Sequence, residues 1–138
     1  MSRWFVLHGA VVLWTGLAGG YFHARAINTG QHEVAWRVVH SGASMGGTML
    51  LAMAWPLRFV ELPAWGIGTL AWTLLGGTYF LVAGMIIAAI TGDRGIASGG
   101  GRINRLVHFL YALGGSAALV GCSLFLIGVA RGLQEVPK

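Results

Sequence analysis

Four stretches without a single charged residue, at 4–24, 38–57, 62–92 and 106–130, constrain this chain more than any other feature. Each reaches the roughly 20 residues that a helix needs to cross about 30 Å of hydrocarbon, at about 1.5 Å of rise per residue. The expected fold is therefore an all-α integral membrane protein. It is a four-transmembrane-helix bundle in a single domain, with spans near 4–24, 36–57, 64–91 and 105–130. The chain is 56% apolar and 9% charged, and 23 of its 138 residues are glycine, more than twice the usual share of about 7%.

The net charge of +5 lies at the span ends and forms no basic face, so it reads as anchoring to membrane lipid and excludes nucleic acid as a partner. Cys122 is the only cysteine and forms no intrachain disulfide. Arg3, the apolar run 5–22 and Ala24-Arg25-Ala26 have the outline of a signal peptide. The run is longer than a usual signal core and is read as the first helix of the bundle. The termini and the loop 58–63 share one face, and the loops 25–37 and 93–105 share the other. The first face carries Arg3, Arg58, Arg131 and Lys138, the second Arg25, Arg37, Arg94, Arg102 and Arg105. That near-equality leaves orientation unassigned by the distribution of cations.

Shifting the sequence by 68 residues lays the first pair of spans on the second without a gap. Leu7, Gly9, Leu13 and Gly16 fall on Leu75, Gly77, Leu81 and Gly84. Arg37, Val39, His40, Gly46, Gly47 and Leu51 fall on Arg105, Val107, His108, Gly114, Gly115 and Leu119. The pattern reads as a parallel duplication of a two-helix hairpin. Glycine in lipid lets helices approach closely. Gly114, Gly121 and Gly128 mark one seam of the fourth helix, while Gly16 with Gly20 and Gly42 with Gly46 are small pairs on the first and second.

Ionisable groups within a membrane need a reason. His40 and His108 each follow an arginine by three residues, one turn inside the same face. Arg37, His40, Ser44 and Gly47 form one stripe of a helix, and Arg105, His108, Ala112 and Gly115 repeat it. Two readings fit. Each imidazole bridges helices by a hydrogen bond, or it binds a porphyrin iron, with small residues giving room to the macrocycle and the arginine meeting a propionate. His23 and His32 are expected at the interface, and His8 at the opposite face, outside the histidine site. No Cys-x-x-Cys-His occurs, against covalent haem, and no Asp or Glu lies within a span, against a carboxylate relay or di-iron site. Tyr79, near mid-span, needs a hydrogen-bond partner in a helix interface or a ligand. Trp4, Trp36, Trp55 and Trp65 fit an interfacial belt. The glycine-rich loop 93–102 lacks the Lys-Ser/Thr ending of a nucleotide loop and is expected to be a flexible cap over the histidine face.

The segment Ala35-Trp36-Arg37-Val38-Val39-His40-Ser41-Gly42, with Gly47 following, Gly77-Thr78-Tyr79 and Asp93-Arg94-Gly95-Ile96 together resemble styrene oxide isomerase, a family of small four-helix bacterial membrane enzymes. The similarity runs in order from Leu7-His8-Gly9 into the fourth span. The resemblance implies a homotrimer in the inner membrane, termini cytoplasmic, with haem b at the protomer interfaces and His40 as its axial ligand. It implies conversion of an aryl epoxide to an aldehyde by Lewis-acid ring opening and hydride shift, with Tyr79 at the epoxide oxygen or the ring. The family keeps an asparagine six residues after its histidine; here that position is Gly46, and an amide donor to the reacting oxygen is missing. The first hairpin loop is also shorter than the family's. A non-enzymatic membrane cytochrome b or haem sensor, with His108 as second axial ligand, is the alternative. A helix bundle without cofactor is the third reading.

Overall fold

The computed structural model describes residues 1–134, which form four helices: α1 (Ser2–Thr29), α2 (Glu33–Ala54), α3 (Ala64–Thr91) and α4 (Arg102–Gln134), with a 3₁₀ turn at Pro56–Phe59. Lys138, counted above among the cations of the terminal face, lies outside the described residues. The helix ends have local causes. Pro56 has no N–H to donate to a carbonyl one turn back, so the α-helical ladder of α2 ends at Ala54 and a 3₁₀ turn follows, although Trp55 keeps helical backbone. Gly30 and Gly92 close α1 and α3 in left-handed conformation, at φ 68° and 81°, with their N–H groups on Ala26 and Ala88. That conformation costs a residue with a β-carbon about 1–2 kcal/mol and glycine almost nothing.

Helices α1, α3 and α4 are long and apolar enough to cross a membrane. Helix α2 falls short of the four-span expectation, because its 22 residues include Glu33, Arg37, His40, two serines and three glycines. It nevertheless runs antiparallel along α1, from Val39 at Gly19 to Leu51 at Gly9. Phe5, Val12, Val39, Leu50, Leu70, Leu74 and Val107 are fully buried, while Trp14, Trp72 and Leu126 are 70%, 81% and 70% exposed. Large apolar groups on the outside suit a solvent of lipid tails.

Two glycine-lined hairpins, α1 with α2 and α3 with α4, meet along α2 and α3. A β-carbon on Gly9 would stand 3.0 Å from the Gly47 carbonyl oxygen, and one on Gly77 would stand 3.0 Å from that of Gly114. The facing atoms repeat too: Gly47 lies on Leu13 and Gly9, as Gly114 lies on Leu81 and Gly77. Gly9 and Gly77 are 68 positions apart, but Gly47 and Gly114 are 67. One residue turns a helix by about 100°, so Gly115, the sequence match of Gly47, faces outward with nothing within 4 Å. The expected seam of Gly114, Gly121 and Gly128 is present, seated on Gly77 and Leu81, on Leu74, and on Val60 with Leu62. Gly42 and Gly46 face Met85 and Thr78 of α3.

Candidate functional site

His40 projects from the second turn of α2 onto the glycines of α1. A β-carbon on Gly20 would stand 2.9 Å from Nδ1 and 3.1 Å from Cε1, so the ring fits only because that position is bare. Its Nδ1 lies 2.9 Å from the Gly16 carbonyl oxygen. A carbonyl only accepts, so the proton is on Nδ1 and the lone pair on Nε2. Among the described residues the buried side-chain polar atoms without partners are His23 Nε2 and Ser44 Oγ. His40 Nε2 has no hydrogen-bond partner among the described residues either, but it is not buried, so its lone pair is accessible.

The stripe expected on α2 divides between different neighbours. Arg37 is exposed at the interfacial end. Ser44 faces Gly16 of α1 and leaves its hydroxyl buried and unpaired. Gly47 does not leave room for a cofactor, because α1 fills the space: an added β-carbon would meet the Leu13 backbone and stand 2.7 Å from the Gly9 carbonyl oxygen. The room beside the imidazole comes from Gly16, Gly19 and Gly20 on the facing helix. In sequence Gly16 and Gly20 read only as a packing pair, since the register that sets them opposite His40 is a tertiary property.

His108 is tethered differently. Its Nδ1 lies 3.0 Å from the carbonyl oxygen of Gly95, in the loop before α4. That loop is not the slack cap expected, because Asn104 gathers it. Its Oδ1 accepts the Gly95 N–H at 2.9 Å, and its Nδ2 donates to Ala97 at 2.8 Å and Gly99 at 2.5 Å. His108 Nε2, like that of His40, has no partner and is open. His32 is exposed at the start of α2, its ring against Gly92, whereas His23 is half-buried with an orphaned Nε2.

Tyr79 is 37% exposed on α3, and its hydroxyl lies 2.8 Å from His8 Nδ1. His8, set aside on the sequence as belonging to the other face, is thus the partner of the predicted tyrosine. On α1 the contact points of the two groups, Gly16 for His40 and His8 for Tyr79, are eight positions apart, about 12 Å of rise. A single chain therefore does not bring His40 and Tyr79 together.

The styrene oxide isomerase family model matches residues 1–130. The chain belongs to the styrene oxide isomerase family. No curated protein gives a match. The family match takes in all four helices as far as residue 130, and with them His8, His40, Gly46, Tyr79 and His108. Membership in a family of isomerases agrees with helices apolar enough for a membrane. Gly46, at the position where the resemblance implies an asparagine, faces Thr78 next to Tyr79; a β-carbon there would make ordinary contacts, 3.4 Å to Thr78 and 3.8 Å to Val12.

Proposed function

We propose that this chain is a haem b-dependent membrane isomerase that converts an aryl epoxide to an aldehyde, with all four helices crossing the bilayer. The observation that carries the reading is His40, within a chain of this family: Nδ1–H held by a backbone carbonyl and Nε2 open outward. That is how a metal-bound histidine is commonly braced, its second nitrogen fixing tautomer and orientation and raising basicity. Among the described residues no three His, Cys, Asp or Glu side chains converge, so each imidazole acts singly, as a porphyrin iron requires and a bare ion does not.

His40 Nε2 would hold the iron, and Arg37 would meet a propionate at the interface. Ser44, one turn along, has an unpaired hydroxyl in the same helix contact. When bound, the ferric group supplies a Lewis acid for an epoxide oxygen. The reaction conserves every atom: the benzylic C–O bond breaks, hydride moves from the neighbouring carbon to the benzylic one, and the oxygen ends as a carbonyl. Tyr79 would donate its hydrogen bond to that oxygen. Because His40 opens outward and Tyr79 lies elsewhere on the same chain, one substrate meets both only where two chains adjoin. This favours haem at the interfaces of a homo-oligomer, as the family resemblance implies for a trimer.

One spectrum and one assay test the reading. Detergent-purified wild type is expected to show a Soret band that His40→Ala abolishes, and the loaded protein is expected to turn styrene oxide over. A colourless protein, or full haem retention in His40→Ala, rules out the haem assignment; loaded protein inert towards aryl epoxides rules out the isomerase. The tethered, open imidazole of His108 supports a second reading, a bis-histidine cytochrome b or haem sensor. That reading requires a six-coordinate low-spin spectrum lost in His108→Ala.

A further inference from the structure

Tyr79 does not stand alone on α3. Its hydroxyl is 2.8 Å from Nδ1 of His8, 71 residues away in the chain. The two rings meet edge to face with centroids 5.6 Å apart at 89°. Behind His8, Trp4 stacks on the imidazole at 5.8 Å and 24°. Helices α1 and α3 touch little compared with the partners inside each hairpin, so this bond is not a by-product of a broad helix seam. Joining two helices in lipid needs no imidazole, because an apolar pair would do so without desolvating two polar groups. Tyr79 is held from within by His8 and remains reachable from outside.

We propose that His8 is the positioning residue of Tyr79. His8 Nδ1–H donates to the phenol oxygen, the stack on Trp4 fixes the imidazole, and the phenol's own hydrogen is left for the epoxide oxygen. The role rests on the isomerase reading above. The role takes the Nδ1–H tautomer: Nε2 of His8 has no acceptor among the described residues, a proton on Nδ1 has the Tyr79 oxygen, and the phenol hydrogen then waits for the substrate oxygen. A phenol that accepts such a bond is the better donor at its own hydrogen, which is what oxygen gaining negative charge requires.

The test uses the full-length, haem-loaded chain with styrene oxide as probe. His8→Leu is expected to lower kcat about 100-fold, the loss that a misplaced catalytic group brings, with KM and the Soret band unchanged. His8→Asn, whose amide nitrogen reaches the Nδ1 position, is expected to restore most of that loss. The double variant His8→Leu with Tyr79→Phe is expected to be no slower than Tyr79→Phe alone, as for residues that act as a unit. A readout independent of turnover is the magnetic resonance of ring-labelled tyrosine. The Tyr79 signal, assigned by its absence in Tyr79→Phe, should shift in His8→Leu and return in His8→Asn while Tyr21 and Tyr111 stay put. Wild-type kcat in His8→Leu, or losses that multiply in the double variant, overturns the role of His8. An unmoved Tyr79 signal overturns the bond. Wild type that leaves styrene oxide unchanged defeats the isomerase reading, and with it this role, whatever the tyrosine signal does.

Discussion

In the first hairpin the imidazole of His40 finds its carbonyl on the facing helix, at Gly16; in the second, the imidazole of His108 finds one in a loop, at Gly95. The same Arg-x-Val-His sequence thus ends in two mountings. The difference starts one turn further into the hairpin. Gly16 faces the small Ser44, whereas Gly84, its counterpart, is covered by Tyr111, whose Cε1 would lie 2.8 Å from an added β-carbon. The one-residue change in register between the hairpins brings Tyr111 to the place of Ser44 and closes the notch that an imidazole needs. A group mounted between two helices is held more precisely than one mounted on a loop, so the proposed haem reading prefers His40, whereas His108 depends on Asn104 and its loop.

The sharpest way to break this comparison is the pair of alanine variants. His40→Ala is expected to lose the whole Soret band and His108→Ala to keep it; equal losses would erase the distinction and favour bis-histidine ligation. Next in size is a mixed oligomer of His40→Ala and Tyr79→Phe chains, each expected to keep only a small residual activity alone. If the first hairpin of one chain and the second of its neighbour complete each site, random mixing restores about one quarter of the interfaces. Activity read after co-expression should rise to about that fraction, and none should return if both residues act within one chain.

The seams can be compared through stability. Gly47→Ala should cost about 3 kcal/mol, as overpacking against backbone does, while Gly115→Ala should stay within about 1 kcal/mol of wild type. Thermal unfolding in detergent measures both, and equal effects would refute the one-residue offset. The smallest effect is expected for Asn104→Ala. Losing its loop bonds should cost about 1 kcal/mol and speed hydrogen exchange at residues 95–99, with no change in the haem spectrum.

Gly46 and Gly47 show how far the sequence could be read. Both were legible as small residues beside a histidine, and the first was legible as the place of a missing amide. Their separate roles were not, because neighbouring positions on a helix point about 100° apart and only the partner helices say which side is full. Gly47 is closed by α1, while Gly46 faces α3 with ordinary contacts. The role of His8 was hidden for a related reason. Its separation from the His40 site agrees with the sequence reading, but nothing in the local pattern says that α3 sets Tyr79 beside it.

Sequence alone determined the helices, their hairpin order and the two imidazoles one turn after an arginine on α2 and α4. Those follow from the length of charge-free runs, from glycine and proline at the ends, and from helical periodicity, all of them local properties. The tertiary structure decided which nitrogen of His40 is free, which glycines hold its ring, and that Tyr79 is tied to His8. Each depends on the sliding register of one helix against another, and a shift of one residue there redirects every side chain at the contact.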